Sequence, residues 1–249
     1  MALPSHGYIA CRRCLPGTDA QWEFSNSDGS RWCLENSPAA FGATSPGVLV
    51  LGFSKGVNQS KAGLAFDGIA FNGMRKQLAA ILQSLRLLAR PIDDCIRVGE
   101  QRLGFGSLIR CSVAQWDPQK EKYSKSGNAI LQKFAKGDLT AQVAKNCVER
   151  FLRDLPDRTK LVVLLGNEAR YIEFCREQVG RARGEARAVN AVSYDSMGVR
   201  FVHVIHAKAQ GALVPDWLAG RNSQQEKRRL AVEAVDAQLA GHPYLQEAV

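Results

Sequence analysis

Two unbroken apolar runs, each closed by glycine, constrain this chain most: Val48-Leu-Val-Leu-Gly52 and Leu161-Val-Val-Leu-Leu-Gly166. A strand without polar alternation has to be buried on both faces, as parallel strands covered by helices are. Helical spacing follows each run. Phe71 to Leu88 repeats apolar residues at Met74, Leu78, Ile81, Leu82 and Leu85, and Asn167 to about Val179 forms a second such segment. Leu103 to Ile109 and Arg200 to Ile205 read as further strands. Asp138 to Leu155 reads as an amphipathic helix with Asp138 as its N-cap, and Ser223 to Leu239 as a last, charged helix. Strands alternating with helices predict an α/β fold: a three-layer αβα sandwich around a central, mostly parallel sheet. Ligands of such folds sit beyond the carboxyl ends of the strands.

At 249 residues the chain suits one domain, 1–249. Residues 1–47 show no sustained period and need an anchor, which a metal site would supply. Residues 117–137, with Lys120, Lys122, Lys125, Lys133 and Lys136, read as a surface insertion. The formal net charge of +9 points to a polyanionic partner. No stretch approaches the roughly 20 apolar residues of a membrane span, so no membrane partner is expected. Met1 to Ala10 lacks the charged and apolar regions of a signal peptide. Seven cysteines in such a chain suggest reduced thiols or metal ligands, and a cytoplasmic location.

Four of those cysteines form a pattern. Cys11-Arg-Arg-Cys14 opens the chain, Cys111 closes a strand as Leu108-Ile-Arg-Cys111, and Cys147 lies within a helical segment. Four soft thiolates suit zinc or an iron–sulfur cluster. Two more segments carry chemistry. Gly52-Phe53-Ser54-Lys55-Gly56-Val57-Asn58 is a glycine-flanked turn whose backbone amides can approach a ligand. Gly63-Leu-Ala-Phe66-Asp67-Gly68 presents an aromatic ring between glycines, and an apolar strand runs into His206-Ala-Lys208.

In that order, over roughly residues 8–220, these segments resemble the iron–sulfur (family four) uracil-DNA glycosylases. The resemblance implies a [4Fe–4S] cluster on Cys11, Cys14, Cys111 and Cys147, with zinc as the other occupant. Cys33, Cys95 and Cys175 have no comparable setting, although Cys33 can replace a ligand. It also implies a DNA partner, no obligate protein partner, and a base flipped out of the helix. The base would stack on Phe66 and be held by the backbone of Gly52, Phe53, Ser54, Lys55 and Gly56. His206 would donate to the base carbonyl as the anionic base leaves, while Lys208 and Gln210 follow it in the loop that meets DNA.

The departures are as informative. The family has Pro after its histidine, where Ala207 stands here. Phe53 and Val57 cannot replace the carboxylate or Asn of the first segment, which leaves Asn58, Asp67 or Ser54 to orient water or stabilise the sugar cation. Ser107 stands where an Asn commonly reads the pairing edge of uracil, and a shorter hydroxyl leaves more room. The expectation is a monofunctional glycosylase for a modified pyrimidine, such as those of some bacteriophage DNA, in a defence role. A uracil repair enzyme and a non-catalytic iron–sulfur nucleic-acid-binding module are the alternatives. Lys55 as a Schiff-base nucleophile would make the enzyme a lyase as well. A nucleotide-phosphate hydrolase or transferase is disfavoured, because neither G-x-x-x-x-G-K-[ST] nor G-x-G-x-x-G follows the strand.

Overall fold

The computed structural model describes residues 2–55, 64–124, 134 and 137–242. Its centre is the first apolar run, β5 (Val48–Lys55). Strand β5 pairs in parallel with β6 (Leu103–Asp117) on one side and with β8 (Leu161–Leu165) on the other. Strand β8 pairs in parallel with β11 (Val199–Val204). Antiparallel strands extend this parallel centre in both directions. Beyond β6 lie β4 (Ala39–Gly42) and β1 (Gly7–Tyr8); beyond β11 lie β10 (Ser193–Ser196) and β9 (Arg187–Asn190). The hairpin of β2 (Gln21–Ser25) and β3 (Arg31–Glu35), and the short β7 (Lys122–Ser124), pair onto the far half of β6.

Alternation along the central strands builds two cores. Val48 and Val50 of β5, with Leu161, Val163 and Leu165 of β8, face α2 (Arg75–Ser84), α5 (Leu213–Ala219) and α6 (Gln225–Leu239). Leu49, Leu51 and Phe53, with Val162 and Leu164, face α3 (Asp138–Phe151) and α4 (Ala169–Arg183). Both faces of the sheet are covered, as the unbroken apolar runs require. The result is an α/β fold with a large mixed sheet between helical layers. Among the described residues, no helix is long and apolar enough to cross a membrane.

Several expectations are corrected. The N-terminal segment is not irregular: it supplies β1 to β4, of which β3 and β4 pair with β6 and carry β2 and β1. Trp22/Phe24 and Trp32/Leu34 carry a period of two too short to stand out, around a turn at Gly29 (φ 77°). Strand β6 runs to Asp117 rather than Ile109, because β3 and β7 take up its second half. The helix expected over Phe71–Leu88 is only Arg75–Ser84, since the left-handed Phe71 (φ 53°) and Gly73 (φ 73°) interrupt its start.

Helix α4 continues to Arg183, past the expected end near Val179. There Arg183 is buried and donates to the carbonyls of Leu152 (2.6 Å) and Arg153 (2.7 Å). Of the expected surface insertion, the described start folds back as β7. Phe134 is buried, edge-on to Trp32 and Phe53. Lys125, Lys133 and Lys136 lie outside the described residues.

Asp138 is the first helical residue of α3 rather than its cap. The acceptor comes from the β2–β3 turn, where Asn26 Oδ1 receives the Leu139 (3.2 Å) and Thr140 (3.3 Å) amides. A side chain at Gly137 would collide with Asn26 and Thr140, so the junction requires glycine. Asn26 is thus a cap supplied across the chain. Replacing Asn26 by Ala should lower unfolding free energy by about 1 kcal/mol, read by urea denaturation, while Asn26→Asp should recover most of it. An Asn26→Ala protein as stable as the parent would remove the cap from this account.

Candidate active site and cysteine group

The site grows out of a break in register. Ser54 of β5 lies opposite Ile109, but the next residue, Lys55, lies opposite Ser112. One step on β5 therefore matches three on β6, and Arg110 and Cys111 have no opposite residue on β5. Irregularities of this kind re-aim side chains. Alternation would put Lys55 on the face of Phe53; instead it joins Ser107 and Arg110 around a small cavity closed by Phe41, Phe71 and Ala70. At ≈ 10 Å³ the cavity admits about one water. Gly52 borders it, with its missing side-chain position 3.8 Å from both the Phe71 ring and Ser107 Oγ. Burial lowers the Lys55 pKa, an effect opposed by the nearby Glu35 and Cys111, and Lys55 Nζ donates to the Ser37 carbonyl (2.8 Å).

Phe66 begins the single turn α1 (Phe66–Ile69) and stacks on Phe41 at 4.7 Å, with Tyr8 (4.9 Å) and His6 (5.0 Å) edge-on. It stands beside the cavity, behind Phe41, rather than on its wall. Asp67 is half-exposed and bonded to His6, Oδ1 to Nε2, at 2.8 Å. Since His6 Nδ1 accepts the Gly42 amide (3.1 Å), the neutral ring carries its proton on Nε2 and donates to Asp67. His6, Phe41 and Arg110 were not legible as site residues. His6 and Phe41 sit in short strands without a motif. Arg110 did leave a signal, as a cation inside an otherwise apolar strand.

The Phe53 side chain points into the opposite core, edge-on to Phe134 (5.2 Å) and Tyr171 (5.8 Å), which leaves its backbone alone for the expected contact. Ser54 is half-buried at the end of β5. Gly56, Val57 and Asn58 lie outside the described residues.

His206 follows β11 and is partly exposed. Its Nδ1 accepts the Lys208 amide at 3.1 Å, which leaves Nε2–H as the outward donor. Burial, then the Lys208 charge, lowers its pKa, so the ring is a neutral donor at neutral pH. Lys208 and Gln210 are exposed in the loop that follows, and Lys208 Nζ lies 3.8 Å from the side-chain position of Gly73. His203 is different in kind. It is fully buried, bonded through Nδ1 to the Gly166 carbonyl (2.8 Å), and burial brings its pKa down to about 4.

The register break also turns Cys111 toward the other cysteines. Asn36, with its amide oriented to satisfy both partners, donates to the Cys11 carbonyl (2.9 Å) and accepts from Arg12 Nη1 (3.1 Å). Arg12 in turn binds the Gly17 (3.0 Å) and Asp19 (2.6 Å) carbonyls, which closes the Cys11–Cys14 loop. Cys14 receives hydrogen bonds from Cys147 and from Asn146 Nδ2 (3.4 Å). The Cys147 bond, then Asn146 and the Arg13 charge, bring the Cys14 thiol down to about 6 against its desolvation.

Cys147, fully buried, keeps its proton well above the usual range because it is the donor in that bond and is desolvated. Burial, reinforced by Cys14 and Cys11, pushes Cys111 up to about 12 against a backbone bond from Ser37. Cys14, Cys111 and Cys147 therefore sense one another, and Cys11 acts on Cys111. Yet among the described residues no three His, Cys, Asp or Glu side chains are grouped so that they could hold a metal ion. Four soft donors with two buried cations at hand, Arg110 near Cys147 and Lys55 near Cys111, suit a metal–thiolate centre chemically. Cys33, Cys95 and Cys175 lie outside this group: Cys33 is half-buried in β3, and Cys95 and Cys175 are buried in opposite cores.

Compared with known proteins, the chain matches no family model, and no curated protein is significantly similar to it.

Two outcomes test the cysteine group. In metal-free, reduced protein, iodoacetamide should label Cys14 ahead of Cys111 and Cys147. The rate should fall as pH drops through about 6, because the thiolate is the nucleophile. Uniform labelling with an ordinary thiol profile would contradict the pairing. Protein purified without oxygen should be brown, and Cys111→Ser should lose the colour and most of its iron. Colourless parent protein carrying one zinc would assign the site to zinc instead.

Proposed function

We propose that this chain is a monofunctional DNA glycosylase that flips a modified pyrimidine out of DNA and hydrolyses its N-glycosidic bond. The observation that carries this reading is the meeting of Lys55 with Ser107 at one cavity, from two strands far apart in sequence, with Gly52 set against Ser107 behind it. The cavity lies toward the carboxyl ends of the parallel strands, where α/β enzymes bind ligands. Beside it stand the Phe66–Phe41 stack and the carboxylate of Asp67.

Each group then has a task. The aromatic rings take one face of the extruded base, which enters when the side chains around the narrow cavity part. Ser107, donor and acceptor at once, reads the base edge with less exclusion of bulk than an amide would give. His206, neutral and with its proton on Nε2, donates to the base carbonyl as negative charge develops there. Asp67, held by His6, opposes the positive charge developing on the sugar. Asn58 is the remaining candidate for placing water. Lys208 and Gln210 meet the phosphate backbone, in keeping with the net charge of +9. Cys11, Cys14, Cys111 and Cys147 would hold an iron–sulfur cluster, which supplies redox capacity and a cross-link between the N-terminal loop, β6 and α3. A role against modified bacteriophage DNA follows from the roomier base edge.

The test is abasic-site formation on a panel of modified DNAs. His206→Ala should lower base release by roughly 10²–10³-fold, the scale for losing one preorganised donor. Ser107→Asn should gain activity on uracil and lose it on larger bases. Parent enzyme efficient on uracil alone would make this a uracil repair enzyme. Salt-sensitive DNA binding with no abasic site on any substrate would leave the non-catalytic module.

A further inference from the structure

Arg110 and Lys55 pose a problem that the proposed reaction leaves unsolved. Both are cations in the protein interior, 2% and 3% exposed, on one wall of the same cavity. Among the described residues the Arg110 side chain makes a single long hydrogen bond, Nη1 to the Ala39 carbonyl at 3.4 Å; its Nε has none there, and the Phe151 ring lies 5.1 Å below it. No described carboxylate pairs with it. Its guanidinium fills the space that a side chain at Gly106 would take, so the strand yields room to aim it at the cavity. Lys55 has the Ser37 carbonyl, the Tyr8 ring at 5.2 Å and the charge of Glu35 within reach. Two desolvated cations with at most one carboxylate between them are costly to bury. A neutral base would not offset that cost; an anionic oxygen between them would.

We propose that Lys55 and Arg110, with the Ser107 hydroxyl, form an anion subsite that selects pyrimidines presenting a negatively charged oxygen. This rests on the glycosylase reading only in taking the ligand to be a base. The cavity's size sets the class. With the surrounding side chains closed, space for about one water fits one oxygen of a carboxylate or of an ionised ring. Cys111, beside Lys55, and Cys147, beside Arg110, are the other titratable neighbours of this pair.

The experiment is calorimetric binding of free bases to anaerobically purified full-length protein. The probes are uracil, 5-carboxyuracil with its anionic substituent, and 5-nitrouracil, whose ring ionises near neutral pH. At least one anionic base should bind tenfold or more tightly than uracil, and which one does identifies the source of the charged oxygen. The preference should disappear in Lys55→Met and return in Lys55→Arg. Arg110→Lys, which keeps the charge, should retain part of it, and thermal unfolding of each variant checks that it folds. Equal affinity for all three bases, no binding of any of them, or a preference that survives in folded Lys55→Met would overturn the subsite. Base release is scored separately, on DNA carrying 5-carboxycytosine or 5-hydroxymethylcytosine. Tight anionic binding without release would sink the glycosylase reading and leave the subsite. Release without anionic preference would do the reverse.

Discussion

One register slip between the two central strands organises the chemistry of this protein. Where β5 advances from Ser54 to Lys55, β6 advances from Ile109 to Ser112. An unbroken parallel ladder would send Lys55 to the Phe53 side and give Arg110 and Cys111 ordinary strand neighbours. The slip instead brings a lysine and an arginine to one cavity and turns the adjacent cysteine toward Cys14 and Cys147. The cavity and the cysteine group thus adjoin the same irregularity. Glycine at 106 is the local condition for it, because any side chain there would displace the Arg110 guanidinium.

The sequence was legible where burial writes a long signal. Val48–Gly52 and Leu161–Gly166 are central strands, and the helical spacing after each marks the layers, since a doubly covered strand tolerates no polar face. It was misleading where strands are short and one-sided. β1 to β4 have two to five residues each, so their alternation spans one or two repeats and reads as loop. Site residues divide along the same line. Lys55 and His206 follow from position at strand ends, and Ser107 from its place four residues before Cys111 in the resemblance. At Phe53 the expected turn is still strand, which continues three residues past Gly52. Arg110 and His6 depend on register and on long-range pairing, which one sequence does not display.

The two histidines of the last central strand show why position alone does not assign chemistry. His203 and His206 are three residues apart, and burial disfavours the charge of both. His203 is enclosed by Tyr171 and Tyr194 and spends Nδ1 on the Gly166 carbonyl, so it ties β11 to the end of β8. His206 lies past the strand, where Nδ1 accepts a backbone amide and the other nitrogen stays available. The hydrogen bond to Nδ1 fixes the tautomer, and the tautomer decides what Nε2 can do. A neutral donor suits a leaving group that gains negative charge, because it stabilises that charge without first binding the neutral base as an ion would.

The cysteine group and the cation pair are best understood as one electrostatic unit. Metal-free, the thiols share out very little charge: Cys14 carries it, Cys147 holds the proton between them, and Cys111 stays protonated. Four thiolates without compensation would repel one another strongly in so dry a place. A metal centre removes the protons and leaves a net negative charge, and Lys55 and Arg110 lie on the side where that charge would be felt. The same two cations face the cavity. Any change in charge at the thiols therefore alters how strongly the cavity attracts an anion, and an anion in the cavity alters the thiols by the same free energy. Strand β6 thus sets a cation of the cavity, Arg110, directly beside a thiol of the cysteine group, Cys111.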